Sequence, residues 1–193
     1  MATLCCCATS WAANPAANKG EDPPEVRYAA MLEREYGPLG TTTAQILGHE
    51  STHEPVTLMG ALIYRLRGKP LDRLTAVEKK LLAVYGLKEE VDNGGFSQYL
   101  NGPVGDTSAT AVQGLKDMQA LQVLKPVQRA LSVFAASKPP AEQAKRVKLI
   151  EAMKRRAQGV WSSCDDEFYL REEDLAALAL AYVKKNQSQI VLE

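Results

Sequence analysis

The chain has 193 residues, 46% of them hydrophobic and 24% charged, which is the composition of a globular protein with a core of its own and excludes a chain too polar to fold. Lys and Arg number 23, as do Asp and Glu, so the formal net charge is zero. No global field therefore draws the chain to nucleic acid, to an anionic membrane or to a basic partner.

Taken in chain order, residues 1–13 are small and apolar with no Lys or Arg, and include Cys5, Cys6 and Cys7. They read either as the end of a signal peptide, because Ser10-Trp11-Ala12 has the small-x-small pattern of a cleavage site, or as a cytosolic tail. A cytoplasmic location is the expectation, with a periplasmic or secreted one if residues 1–12 end a signal peptide. Residues 14–24 read as a linker. A short helix is expected over 25–36, stopped by Gly37-Pro38. Residues 39–55 are polar and rich in Thr. Leu58, Met59, Leu62, Ile63 and Leu66 place an apolar stripe on a helix over 56–67, closed by Gly68 and Pro70.

Thr75-Ala76-Val77-Glu78 is a capping box, and Leu81, Val84 and Val91 continue its helix. Asn93-Gly94-Gly95 is expected to end that helix in a tight turn, with a short element over 96–100 and a break at Asn101-Gly102-Pro103. Asp106-Thr107-Ser108 is expected to cap a helix running to about Val123. Pro126 is expected in the first turn of the next, and a further helix over 141–158. Asp165-Asp166-Glu167 would precede a last helix bearing Leu175, Leu178, Ala179, Tyr182 and Val183. No apolar run reaches the roughly 20 residues of a membrane span. The pattern predicts an all-α protein, a single compact array of about six to eight helices.

Few residue sets here carry chemistry. His49-Glu50-Ser51-Thr52-His53 matches H-E-x-x-H: on a helix both imidazoles would share a face and hold zinc, with Glu50 as general base, so a zinc hydrolase is one functional alternative. Gly48, Pro55 and the absence of an obvious third ligand argue instead for a solvated polar loop. Any Ser or Cys nucleophile would need one of these same two histidines as its base. Cys164, beside Asp165-Asp166, sits where its thiol pKa would rise. Lys145, Arg146, Lys148, Lys154, Arg155 and Arg156 give residues 141–158 a local charge of +4, and residues 165–174 carry −5. Phosphate binding through residues 145–156 is a second alternative; mutual neutralisation of the two segments is the simpler reading.

Glu90, Val91, Asn93, Gly94, Gly95, Phe96, Gln98, Tyr99, Asn101 and Gly105 resemble the signature of a bacterial helical family. It is the domain found at the C-terminus of the bacterial DNA-mimic protein and shared with many proteins of unknown function. Asp166-Glu167-Phe168-Tyr169, Tyr182 and Asn186 are similar to that family's end. The resemblance spans roughly 74–186. It implies an all-helical fold, no known enzymatic activity, no cofactor, and a protein as partner. Physically the motif reads first as structure, with Asn93 and the glycines making a reversal, Phe96 and Tyr99 anchoring the next element and Gln98 or Asn101 satisfying backbone ends; a binding role for Asn93, Gly94, Gly95, Phe96, Gln98, Tyr99 and Asn101 is the alternative. A DNA mimic needs a surplus of carboxylates spaced like phosphates, and a neutral chain departs from that. The expected organisation is a tail or signal remnant with linker over 1–24, a helical extension over 25–72, and the family domain over 73–187. The expected function is a non-enzymatic protein-interaction domain, nucleic acid being disfavoured as partner.

Overall fold

The structure, a computed structural model, describes residues 22–192; the readings made of residues 1–13 lie outside them. The described chain is all-α, with helices α1 (Pro24–Tyr36), α2 (Thr43–Leu47), α3 (Pro55–Arg67), α4 (Ala76–Asn101), α5 (Ser108–Asp117), α6 (Leu121–Leu131), α7 (Gln143–Ala152), α8 (Lys154–Tyr169) and α9 (Leu175–Lys185). No described helix is long and apolar enough to cross a membrane. The chain divides into two compact units between Glu35 and Tyr36. Helix α1 buries no side chain.

The second unit is built around α4. Helices α3, α5, α7 and α8 pack on it, α6 packs on α5 and α8, and α9 packs on α3. Leu81, Val84, Leu87, Val91 and Phe96 of α4 are sealed from solvent, as are Leu58, Leu62 and Leu66 of α3 and Phe168 of α8. The start of α4 forms the expected box: Thr75 Oγ1 accepts from the Glu78 amide at 3.2 Å, and Glu78 Oε2 accepts from the Thr75 amide at 2.8 Å. Thr42 and Gln45 cap α2 in the same way.

Four expected boundaries move. Asn93-Gly94-Gly95 interrupts the helix as expected, with Gly94 and Gly95 outside helical φ/ψ, but by a kink and not a reversal; α4 resumes at Phe96 and runs on to Asn101. The helix expected over 108–123 stops at Asp117, and the Thr107 side chain does not cap it: its hydroxyl donates to the Val104 carbonyl at 2.8 Å. A Schellman closure ends α5, with Gln119 at φ 59°, its amide on Lys116 O (3.0 Å) and the Ala120 amide on Leu115 O (2.9 Å). Gln rather than Gly holds the left-handed position, so composition gave no stop signal. As α6 starts at Leu121, Pro126 falls inside it. The 141–158 segment breaks at Met153 (φ −115°, ψ 19°), so Asp165, Asp166 and Glu167 lie inside α8, near its C-terminal end, instead of preceding a helix.

Candidate functional site

The signature segment explains itself once α8 is in place. Gly95 has φ 71° and ψ −174°, a backbone state essentially confined to glycine. The helix must restart at Phe96 with unsatisfied amides. Asp165 of α8 meets one of them: its Oδ1 accepts from the Phe96 amide at 2.8 Å, across 69 residues of sequence. A Cβ on Gly95 would stand 2.5 Å from Asp165 Oδ2, so the glycine also makes room for its own cap. Burial raises the Asp165 carboxyl above the ordinary carboxylate value; the Phe96 amide opposes that rise, and neighbouring Asp166 adds to it. Phe96 stacks edge-on against Phe168, centroids 5.9 Å apart, and the Tyr169 hydroxyl donates to Val91 O.

The far end of the segment is closed by Arg146. This guanidinium, predicted as part of a basic face, is fully buried. Its Nε donates to Leu100 O and its Nη2 to Gly102 O, both at 2.7 Å, while Nη1 reaches Pro140 O (2.8 Å) and Ala141 O (3.1 Å). Asp106 pairs with it at 2.8 Å. It thus satisfies the carbonyls that end α4. A Cβ on Gly105 would lie 2.9 Å from Arg146 Nε, which gives that signature glycine a steric reason. Of the other signature residues, Gln98 bridges the kink to Glu90 (2.9 Å), Asn101 donates to Ser97 O (2.8 Å), and Phe96 and Tyr99 are buried, while Asn93 and Gly94 face solvent. Asn101 and Ser97 border a cleft of about 230 Å³ completed by Ile150, Glu151, Lys154, Gln158 and Trp161.

A larger groove, about 510 Å³, runs between α6 and α8. Lys125 and Arg129 of α6 face Asp166 and Glu167 of α8, with Gln122, Ser163, Leu170 and Arg171 along its length. Glu167 pairs with Arg129 at 2.7 Å and Lys125 at 3.0 Å. Those cations hold its carboxyl below the ordinary range, the Lys125 hydrogen bond foremost. Leu170 is 82% exposed at the groove's edge, and Leu121 at the start of α6 is 64% exposed. Glu173 turns back on α6, accepting from the Gln122 (3.2 Å) and Val123 (3.0 Å) amides. Since Ala120 offers α6 no side-chain cap, Glu173 provides it from the α8–α9 connection.

A family model described as DMP19-like protein matches residues 72–186. The chain belongs to that family. No curated protein and no solved structure matches it. The match begins just before α4 and ends just after α9. Within this DMP19-like segment lie the kink, its Asp165 cap, Arg146, Glu173 and the α6–α8 groove.

His49 and His53 lie outside it, in the turns between α2 and α3, their rings edge-to-face with centroids 5.4 Å apart. His53 is exposed, and its Nδ1 lies 3.0 Å from Thr52 Oγ1. Glu50 is an ion-pair partner of Lys184 on α9 at 2.7 Å. Among the described residues no group of three His, Cys, Asp or Glu side chains stands close enough together to hold a metal. Cys164, inside the DMP19-like segment, is buried; burial pushes its thiol up first, and Arg129, whose Nε lies 3.2 Å from Sγ, pulls against that. The carboxylates suspected from sequence are the lesser cause. Lys148, Lys154, Arg155 and Arg156 are exposed, and Lys145 pairs with Glu142 at 2.6 Å. Sequence reasoning missed Asp165, Glu173 and Arg146 as builders of the site. Apart from Pro140 and Ala141 beside Arg146, their backbone partners lie about 45 to 70 residues away, beyond any local pattern.

Proposed function

We propose that this DMP19-like chain works without catalysis, by holding another protein in the α6–α8 groove. The observation that carries this reading is Leu170, 82% exposed beside the groove inside the family segment. An exposed apolar anchor ringed by charges of both signs is the chemistry of a protein interface, where a buried side chain gives affinity and paired rim charges give register. A phosphate backbone would meet Asp166 and Glu167 along with Lys125 and Arg129, and be repelled by the former. Zero net charge argues against mimicry of DNA as the mode, and two of the three α8 carboxylates, Asp165 and Glu167, are already engaged with Phe96, Lys125 and Arg129.

The test uses the full chain as bait, in wild-type form and as Leu170→Asp. The side chain is solvent-exposed, so the substitution leaves the fold intact. A protein enriched at least tenfold by the wild type and lost with Leu170→Asp supports the groove. Recovery of the same proteins by both baits refutes it.

A further inference from the structure

The segment after α9, beyond the family match, is held in a manner that the folding of α9 does not require. A single 3-10 turn (Gln187–Gln189) leads into extended residues 190–192. From Gln189 to Val191 every main-chain polar group has a partner. The Gln189 and Ile190 amides donate within the turn, to Asn186 O and Gln187 O. Thr75 Oγ1 donates to Gln189 O and Thr43 Oγ1 to Ile190 O, each at 2.9 Å. The Val191 amide donates to Glu78 Oε1 at 2.8 Å, and Lys69 Nζ donates to Val191 O. Lys69 also grips both Glu78 oxygens at 2.8 Å, in an ion pair only 8% and 0% exposed on its two sides. Ile190 and Leu192 are buried at 4% and 9%, while Val191 between them is 52% exposed.

This is a recognition pattern, not only a covering. The four gripping side chains read main-chain atoms, and two sockets two residues apart accept apolar side chains. Addition of an extended peptide to a protein works the same way: backbone bonds supply affinity and alternate pockets supply specificity. A buried ammonium–carboxylate pair is costly to desolvate, and it is satisfied here by a main-chain amide and carbonyl that any peptide carries. We infer that the groove formed by Thr43, Lys69, Thr75 and Glu78 is a docking site for an extended peptide segment of another protein with apolar residues at alternate positions, and that the chain's own residues 187–192 are its displaceable occupant. Tethering gives that occupant an effective concentration on the order of millimolar, so this segment acts as a strap that a competing segment must displace. The inference is independent of Leu170 and the α6–α8 groove.

The probe is a fluorescein-labelled peptide of residues 187–193. It is titrated by anisotropy into the full chain, wild type and Ile190→Asp/Val191→Pro, the second form removing one socket group and the amide that bonds Glu78. The released chain should bind the peptide at least tenfold more tightly than wild type. A sequence-scrambled peptide should not bind, and Thr43→Val in the released chain should weaken binding about fivefold, one hydrogen bond's worth. A released chain that is folded by circular dichroism and binds no peptide at 1 mM overturns the proposal, as does equal binding of the scrambled peptide. If the released chain does not fold, the wild type decides. Millimolar peptide should accelerate hydrogen exchange of the Val191 amide in a saturable way, and an unchanged rate overturns the proposal.

Discussion

Replacing Gly95 by Ala tests the kink at the level of single atoms. The new Cβ meets three obstacles at once. It must hold φ 71° with ψ −174°, a state that non-glycine residues enter at about 1–3 kcal/mol. It stands 2.5 Å from Asp165 Oδ2 and 2.8 Å from both Cγ and Oδ1, so the carboxylate has to retreat. Retreat breaks the 2.8 Å bond from the Phe96 amide, and a hydrogen bond to a charged group contributes about 1.5–3 kcal/mol. These effects overlap, and we expect Gly95→Ala to lose about 3–5 kcal/mol in total. At roughly 2–4 °C per kcal/mol for a unit of this size, Tm falls by about 6–20 °C. Gly94→Ala is the internal control. Its φ of −164° lies outside the left-handed region, and its Cβ meets only the exposed Gln98 side chain: the amide end can swing away at the loss of its bond to Glu90, and Gln98 Cβ at 3.0 Å has to give only slightly. It should lose about 1 kcal/mol. Urea unfolding followed by circular dichroism gives both values from Cm at constant m. Equal losses in the two variants, or a Gly95→Ala loss under 0.5 kcal/mol, would refute the assignment of the kink.

Other sites give further expectations. Arg146→Lys keeps the charge but not the fork that serves Leu100 and Gly102, and should lose about 3 kcal/mol or more by urea unfolding; a loss under 1 kcal/mol contradicts its role as the closure of α4. Glu173→Ala strips the cap from α6 and should lose about 0.5–2 kcal/mol, with faster amide exchange at Gln122 and Val123; unchanged exchange contradicts the cap. Burial keeps the Cys164 thiol protonated beyond its ordinary pKa, so in a chain with Cys5, Cys6 and Cys7 replaced by Ser it should resist a thiol reagent at pH 8 until denatured. Because that folded pKa is raised above the unfolded one, the unfolded state ionises first as pH rises. Its contribution to stability is therefore present below the unfolded thiol pKa and is lost as pH rises through the folded one. Rapid native labelling at pH 8 would contradict this.

The parts of the fold that were legible in the sequence are those made by neighbours in the chain. Thr75 and Glu78 are three residues apart, and their reciprocal bonds were readable as a capping box. The apolar stripe of α3 and the helix-breaking Asn101-Gly102-Pro103 were equally local. The Asn93-Gly94-Gly95 stretch identified the family, yet its geometry was misread as a reversal. Its glycines do release the helix; Asp165, far along the chain, restarts it in nearly the next residue. Arg146 was counted with its basic neighbours because charge patterning cannot tell a solvated cation from one turned inward to four carbonyls. The acids at 165–174 read in sequence as a run ahead of a last helix and as counter-charges to the basic segment, while three of them act as caps: Asp165 for Phe96, Glu173 for α6, and Asp174 for α9, where Ala177 donates at 2.9 Å. The α6–α8 groove had no signal in sequence because its two walls meet only through tertiary packing.

The central claim is that the signature segment from Asn93 to Gly105 is a scaffold and that the groove beside Leu170 is where the chain meets its partner. A photo-activatable cross-linking residue placed at position 170, and separately at the exposed position 149 on α7, tests this directly in cells producing the full chain. The account predicts one discrete protein adduct from position 170, absent from position 149 and competed by unlabelled wild-type chain. Adducts of the same protein in equal yield from both positions, or none from position 170, would contradict it.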